Sequence, residues 1–159
     1  MTSLSPSAQK VQDKLLALGY NCSVQESNIT TRTAADAAAL VGCHVGQIVK
    51  SLIFKGADSG KPILVLTSGA NRVDEKLIST YAGENILRAD PEFVRASTGY
   101  AIGGVPPVGH TQSMETYLDE DLFQYPDIWA AGGTPKSLFK LNPVELKKMT
   151  AGKVTKVKS

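Results

Sequence analysis

The stretch from Ser97 to His110 is the part of this chain that most limits how it can fold. It holds four glycines and the adjacent prolines Pro106 and Pro107 among apolar residues. Glycine weakens helices and strands, and proline lacks the N–H group that both need. The stretch is therefore predicted to be a tight loop. Two interpretations stay open: a connection between two strands, or a rigid loop that presents backbone groups to a small polar ligand.

Composition indicates an ordinary globular protein. The 159 residues, 42% hydrophobic and 20% charged, are predicted to form one domain over 1–159, with a core of about 7–150 and frayed ends. A net charge of +2 is too small to indicate a dedicated nucleic-acid-coating protein, although it allows a local basic patch that binds RNA. No signal peptide and no apolar run of about 18 residues is evident, so we expect a cytoplasmic protein without a membrane partner.

The pattern of apolar residues predicts helices and strands that alternate irregularly. Helices are expected at 7–18, 34–41, 73–81, 91–95 and 144–149. Strands are expected at 52–54, 63–66, 115–118, 127–131 and 138–141. The lysine-rich tail from Lys153 is expected to be frayed. Because there is no regular alternation of strand and helix, the prediction is an α/β domain with a mixed sheet and helices packed around it.

Lys50 is the most informative charged residue, because apolar residues flank it on both sides. Ile48 and Val49 precede it, and Leu52 to Phe54 follow shortly after. One interpretation is a cation at the edge of a pocket, where it could bind a phosphate or orient an ester carbonyl. The other is a lysine at the end of a helix, with an apolar stem packed on the protein and the charge in water. The two cysteines and two histidines form no recognisable ligand set, so neither a metal nor a cofactor is predicted.

Three separated segments, 47–52, 97–109 and 130–133, together resemble the YbaK family. This family comprises relatives of the editing insertion domain of bacterial prolyl-tRNA synthetase. The resemblance extends from about Thr33 to Leu146. It implies a single α/β domain with a mixed, curved sheet surrounded by helices. Many family members hydrolyse mischarged aminoacyl-tRNA in trans.

The resemblance also implies roles for individual residues. Lys50 matches the lysine that the family requires for activity, and the loop from Gly103 to Pro107 matches its Gly-x-x-x-Pro loop, which shapes the aminoacyl pocket and faces the terminal adenosine. The candidate catalytic residues are Lys50, Gly103 and Gly104. The candidate substrate-binding residues are Thr33, Ser51, Thr98, Pro107, His110, Gly132 and Gly133.

The expected function is hydrolysis of the ester of a mischarged tRNA, with a small amino acid such as Ala, Ser, Thr or Cys on tRNA-Pro or a similar tRNA. Backbone groups of Gly103 and Gly104 would act as fixed dipoles at the developing charge. The expected partners are aminoacyl-tRNA and an aminoacyl-tRNA synthetase. The alternative is a non-catalytic module that uses the same pocket to bind a tRNA end, a nucleotide or a synthetase. Leu138 and His110 depart from the cysteine-specific branch of the family, which has aspartate and glutamine there.

Overall fold

Short helices and strands make up the chain, and a computed structural model describes them for residues 3–31 and 33–159. The helices are α1 (Pro6–Ala17), α2 (Ala34–Val41), α3 (Glu75–Ala82), α4 (Pro91–Thr98) and α5 (Pro143–Thr150). The strands are β1 (Val24–Glu26), β2 (Val49–Gly56), β3 (Pro62–Ser68), β4 (Ile86–Arg88), β5 (Glu115–Asp119), β6 (Ile128–Ala131), β7 (Ser137–Leu141) and β8 (Lys153–Thr155). Two 3-10 turns lie at Val45–Gln47 and Glu120–Gln124.

The strands form two sheets. The larger sheet has the order β4-β2-β3-β5-β8, in which β2 pairs antiparallel with β3 and β4, whereas β3 with β5 and β5 with β8 are parallel. The smaller sheet has the order β1-β7-β6 and is antiparallel throughout. All seven residues of β3 are buried because this strand lies in the middle of the larger sheet. The predicted α/β fold with a mixed sheet is thereby confirmed.

The alternation of side chains along β2 divides the core into two layers. Val49 and Ile53 belong to the main cluster, which also contains Phe139 of the smaller sheet and one face of α1. Phe54 points to the opposite face, where a second cluster contains Ile78 of α3. Successive residues of a strand face opposite sides, so this single strand contacts both layers.

The predicted helix boundaries depend on caps that the sequence shows directly. Asn142 accepts a hydrogen bond from the backbone N–H of Glu145 at 2.8 Å, and the Glu145 side chain accepts one from the backbone N–H of Asn142 at 3.0 Å. This reciprocal pair is the capping box expected from Asn-Pro-x-Glu. At α2, the Thr33 hydroxyl oxygen accepts from the N–H of Asp36 at 3.1 Å. Helix α2 therefore begins where the sequence predicts, and α5 begins one residue before the predicted start, at Pro143.

Three predictions about elements are wrong. The strand predicted at 52–54 begins earlier, at Val49, so Lys50 lies within β2 rather than at the end of a helix. The short strands β1 and β4 were not expected, because three residues are too few for an alternating pattern to be recognised. The C-terminal tail is not frayed: β8 pairs with β5, and Val157 is fully buried.

The C-terminal segment is expected to contribute to stability through Val157. Val157→Ala should lower the free energy of unfolding by about 1–3 kcal/mol, because it removes buried methyl groups from the second core cluster. Val154→Ala is the matched control, since Val154 lies in the same segment with 39% of its surface exposed, and should cost about 0.5 kcal/mol or less. Urea unfolding measures both values. Equal losses would show that the tail does not pack on the core.

Candidate functional site

A cleft of about 520 Å³ lies along the edge of β2 that faces away from β3. On this edge β2 pairs with β4 only at 54–56, and an isolated bridge joins Ile48 to Trp129. Between these two contacts, no described strand pairs on this edge with the stretch from Lys50 to Leu52, and this stretch lines the cleft. An unpaired strand edge exposes backbone donors and acceptors, which makes it a binding surface.

The walls of the cleft are mainly apolar, and their apolar side chains include residues of β2, of α4 and of the glycine- and proline-rich loop. Ile53 and Phe54 of β2 contribute, and Val94 of α4 lies nearby. The glycine- and proline-rich loop contributes Ile102, which is 55% exposed, and Val105, which is buried. Apolar walls with a few polar groups are typical of sites for small organic ligands.

Cations predominate at the rim. Lys50, Arg72 and Arg88 line the cleft, together with one carboxylate, Glu75. The Glu75 carboxylate lies 3.3 Å from Nε of Arg88 and pairs with it. Among the described residues Lys50 and Arg72 form no salt bridge, and both are exposed. The rim therefore has an excess of positive charge that would attract an anionic ligand such as a phosphate.

A buried carboxylate orders the segment that carries Arg72. Asp119 is only 1% exposed, and its Oδ2 accepts hydrogen bonds from the Ser68 backbone N–H at 2.9 Å and from the Asn71 side-chain amide at 2.8 Å. The Thr67 hydroxyl donates to the same oxygen at 3.1 Å. These bonds hold the chain where it leaves β3, directly before Arg72. Sequence reasoning missed Asn71, Arg72 and Arg88. For Asn71 and Arg72 the signal would have been polar residues soon after the strand predicted at 63–66, whereas Arg88 follows no predicted strand.

Lys50 and Ser51 are the two predicted site residues that line this cleft. Lys50 is exposed at the rim. The Ser51 hydroxyl oxygen is buried and has no hydrogen-bond partner among the described residues. A buried hydroxyl without a partner is costly, so this oxygen marks a place where a ligand could supply the missing hydrogen bond.

The glycines of the central loop make close backbone contacts behind the cleft. A Cβ on Gly104 would lie 2.7 Å from the Cα of Thr134, and Gly103 has a φ of +90°. The Thr98 hydroxyl donates to the carbonyl oxygen of Val94 at 2.7 Å and accepts from the backbone N–H of Tyr100 at 3.0 Å. These contacts set the path of the loop. Through that path, its neighbouring apolar residues reach the cleft.

The second glycine pair, Gly132 and Gly133, packs against α1 and β1 and does not line the cleft. A Cβ on Gly133 would lie 2.6 Å from the carbonyl oxygen of Ser7 in α1, and its φ is +107°. A Cβ on Gly132 would lie 2.8 Å from a methyl group of Val24. Thr33, the cap of α2, is likewise absent from the cleft lining. Thr33, Gly132 and Gly133 are therefore not among the residues that line the cleft with Lys50.

Pro107 and His110 line a separate, more open cavity of about 760 Å³ on the other side of the loop. His110 Nε2 lies 2.6 Å from the carbonyl oxygen of Pro106 and can donate a hydrogen bond to it. Burial lowers the pKa of His110 below its ordinary value of 6.5, and the hydrogen bond to Pro106 partly opposes this effect. A neutral imidazole that donates to Pro106 would hold the end of the loop in place, which is a positioning role.

A glycine pair that is needed for packing should tolerate no side chain. Gly133→Ala should lower the free energy of unfolding by about 2–4 kcal/mol, from the strained positive φ together with the collision at Ser7. Gly83→Ala is the matched control: Gly83 also has a positive φ of +77°, but nothing lies within 4 Å of its Cβ position. It should cost about 1 kcal/mol. If thermal unfolding shows the same loss for both, packing at Gly133 is not tight.

The buried histidine should make stability depend on pH. Because the pKa of His110 is lower in the folded protein, the unfolded chain binds a proton first as the pH falls below 6.5. His110 therefore favours the folded state fully only above that pH, and this contribution decreases as the pH falls through the folded pKa. Urea unfolding of the protein and of His110→Gln between pH 8 and 5 should show a difference that shrinks below pH 6.5. A constant difference would contradict this assignment.

Comparison with known proteins identifies the class of this domain. The chain is 50% identical in sequence to a candidate trans-editing enzyme for prolyl tRNA synthetase, whose crystal structure superimposes on it with a TM-score of 0.94. The match covers 99% of each chain. YwhH of Bacillus subtilis (strain 168), an uncharacterized protein, is 32% identical over 131 residues, 82% of this chain and 83% of that protein. The domain thus has the fold of a candidate trans-editing enzyme.

The family assignment follows from a match to its model. The model of the aminoacyl-tRNA editing domain matches residues 30–149, and the chain belongs to this family. A further relative is EbsC of Enterococcus faecalis (strain ATCC 700802 / V583), named as a candidate Cys-tRNA(Pro)/Cys-tRNA(Cys) deacylase. It is 25% identical over 147 residues, 92% of this chain and 87% of EbsC. The resemblance seen in the sequence is confirmed.

Residues 3–31 and 33–159 contain neither a membrane-spanning helix nor a cluster of metal ligands. No helix in these ranges is long and apolar enough to cross a membrane. No group of three or more His, Cys, Asp or Glu residues in the same ranges could hold a metal ion.

Proposed function

We propose that this protein is an aminoacyl-tRNA deacylase that hydrolyses the ester of a mischarged tRNA in trans. The substrate would carry a small amino acid (Ala, Ser, Thr or Cys) on tRNA-Pro or a similar tRNA. The observation that carries the proposal is the cleft itself, where apolar walls meet Lys50 and Arg72, which form no salt bridge within residues 3–31 and 33–159, beside a strand edge that no described strand covers. Family membership supports the same substrate class.

The reaction needs only modest catalysis, because an aminoacyl ester is already activated. A water oxygen attacks the carbonyl carbon, the bond from that carbon to the ribose oxygen breaks, and the ribose oxygen takes up a proton released by the water. A neighbouring ribose hydroxyl can assist this transfer. The protein contributes by holding the ester and stabilising the negative charge on its carbonyl oxygen. Lys50 and Arg72 would hold the phosphates of the terminal nucleotides.

The apolar end of the cleft would select the amino acid by size. Ile102 and Val105 belong to the glycine- and proline-rich loop, and Gly103 and Gly104 between them fix how far these side chains reach. One methylene more or less on the substrate changes the free energy of binding in such a pocket by about 1–3 kcal/mol. We therefore assign Gly103, Gly104 and Thr98 to the shape of this pocket.

Removal of the Lys50 ammonium should slow deacylation. Lys50→Ala should lower kcat/KM about 10- to 100-fold, the loss expected for one charged hydrogen bond. Lys61→Ala is the matched control, because Lys61 is exposed in the turn between β2 and β3 and lies outside the cleft lining. The measurement is the release of labelled amino acid from tRNA-Pro charged with Ala, Ser, Thr or Cys.

The outcomes separate the competing functions. Equal deacylation rates for the wild type and Lys50→Ala would show that Lys50 does not contribute to the reaction. If the wild type hydrolyses none of the four substrates above the spontaneous rate but binds them, the protein is a binding module for the tRNA end. Turnover of simple esters without tRNA would instead indicate a small-molecule hydrolase.

A further inference from the structure

The backbone groups of Ser51 point into the cleft. In an antiparallel pair, successive residues direct their N–H and C=O groups alternately toward the partner and away from it. Gly56 donates to the carbonyl oxygen of Lys61 at 2.9 Å, so the even-numbered residues of β2 face β3. Ile53 faces the other way, since its carbonyl oxygen accepts from Ala89 at 3.4 Å. Ser51 has the same parity as Ile53 and therefore faces the open edge.

No described strand satisfies these groups. The pairing with β4 starts at Phe54, and the isolated bridge on the other side is at Ile48. Ser51 lies between these contacts and lines the cleft. Its side-chain oxygen is also buried without a partner among the described residues. Backbone groups in protein interiors are nearly always hydrogen-bonded, so a donor and an acceptor side by side in a cleft suit a ligand that supplies both partners.

We propose that Ser51 binds the aminoacyl group as a strand binds one residue of a neighbouring strand. The Ser51 N–H donates to the carbonyl oxygen of the ester, and the Ser51 C=O accepts from the α-ammonium group. An aminoacyl ester has these two groups at the spacing of a peptide residue, so it can form both bonds of an antiparallel pair. This inference rests on the proposed function and assigns the residue that recognises the substrate.

The pairing also determines where the rest of the substrate lies. Residues directly opposite in an antiparallel pair place their side chains on the same face. The amino-acid side chain would then lie on the Ser51 face, beside Ile53, Val94 and Val105, which belong to the main core cluster. Lys50 points to the opposite face of β2. Because the pair is antiparallel, the ester oxygen and the ribose, which follow the carbonyl, would extend along the edge of β2 toward Lys50 and the cationic rim.

The two hydrogen bonds would have different consequences. The N–H of Ser51 is fixed in a strand and needs no rearrangement to stabilise the negative charge that forms on the carbonyl oxygen, which makes it a donor of the oxyanion-hole type. The C=O of Ser51 recognises a free α-ammonium group, which every aminoacyl ester carries. The site would therefore accept aminoacyl esters and discriminate against N-acylated ones.

A backbone substitution tests the N–H directly. In the full chain, Ser51 is replaced by its α-hydroxy analogue, which exchanges the N–H for an oxygen and keeps the side chain. The single-turnover rate constant of deacylation should fall about 100-fold. The same exchange at Val144 is the control, because Val144 is 58% exposed and its N–H lies in the first turn of α5, where no intrahelical partner exists. This control should keep the wild-type rate.

A modified substrate tests the C=O. N-acetylation of the same aminoacyl-tRNA should lower kcat/KM at least about tenfold, because it removes a charged hydrogen bond. Ester exchange at Ser51 without effect on the rate would overturn the N–H assignment, and equal hydrolysis of the acetylated substrate would overturn the C=O assignment. In both cases the wild type would still hydrolyse the free aminoacyl-tRNA. The absence of any wild-type hydrolysis would instead overturn the proposed function.

Discussion

The incomplete pairing of β2 is the constraint on which the rest of this structure depends. On one edge the strand pairs with β3 from Val49 to Lys55, and this pairing holds it in the middle of the fold. On the other edge, β4 pairs with only its last three residues. If the pairing of β4 with β2 continued for three more residues, β4 would cover Ser51 and close the cleft. The site exists because a strand that is firmly held on one side is left open on the other.

The same arrangement explains why charges gather at this place. Arg88 ends the short strand β4, and Arg72 follows the end of β3, so both lie where neighbouring strands stop. Asp119 fixes the exit of β3 through three hydrogen bonds, and it does so from the buried end of β5. A single buried carboxylate thus determines the position of a cation at the rim. Cationic side chains at strand ends can reach the ligand without entering the core, where an unpaired charge would be costly.

The sequence predicted the class of fold and singled out Lys50, which lines the cleft, but it did not predict the arrangement of the residues around Lys50. Caps such as Asn142 with Glu145 are local, so the sequence alone identifies them. The strand β2 was predicted too short, because Lys50 and Ser51 interrupt its apolar run at the very place where one edge is open. Arg88 was missed because it lies in β4, and a three-residue strand leaves no recognisable pattern. Arg72 was missed because its position depends on hydrogen bonds from its segment to Asp119, which is distant in sequence. The sequence cannot distinguish a glycine that leaves room for a ligand from a glycine that lets a helix pack closely. Gly133 is of the second kind, because it packs against α1.

Recognition through the backbone of a strand would separate two tasks that an editing site has to perform. The α-ammonium and the carbonyl are common to all aminoacyl esters, so a backbone that binds them contributes equally to every substrate and cannot choose among amino acids. The choice then has to come from the walls that meet the side chain, chiefly Val94, Ile102 and Val105. Ile102 is 55% exposed at the mouth of the cleft and lies next to Gly103, whose positive φ turns the loop at this point. Substitutions in this loop could alter which amino acid is accepted without changing how the ester is held, because the strand that holds the ester is fixed independently by β3.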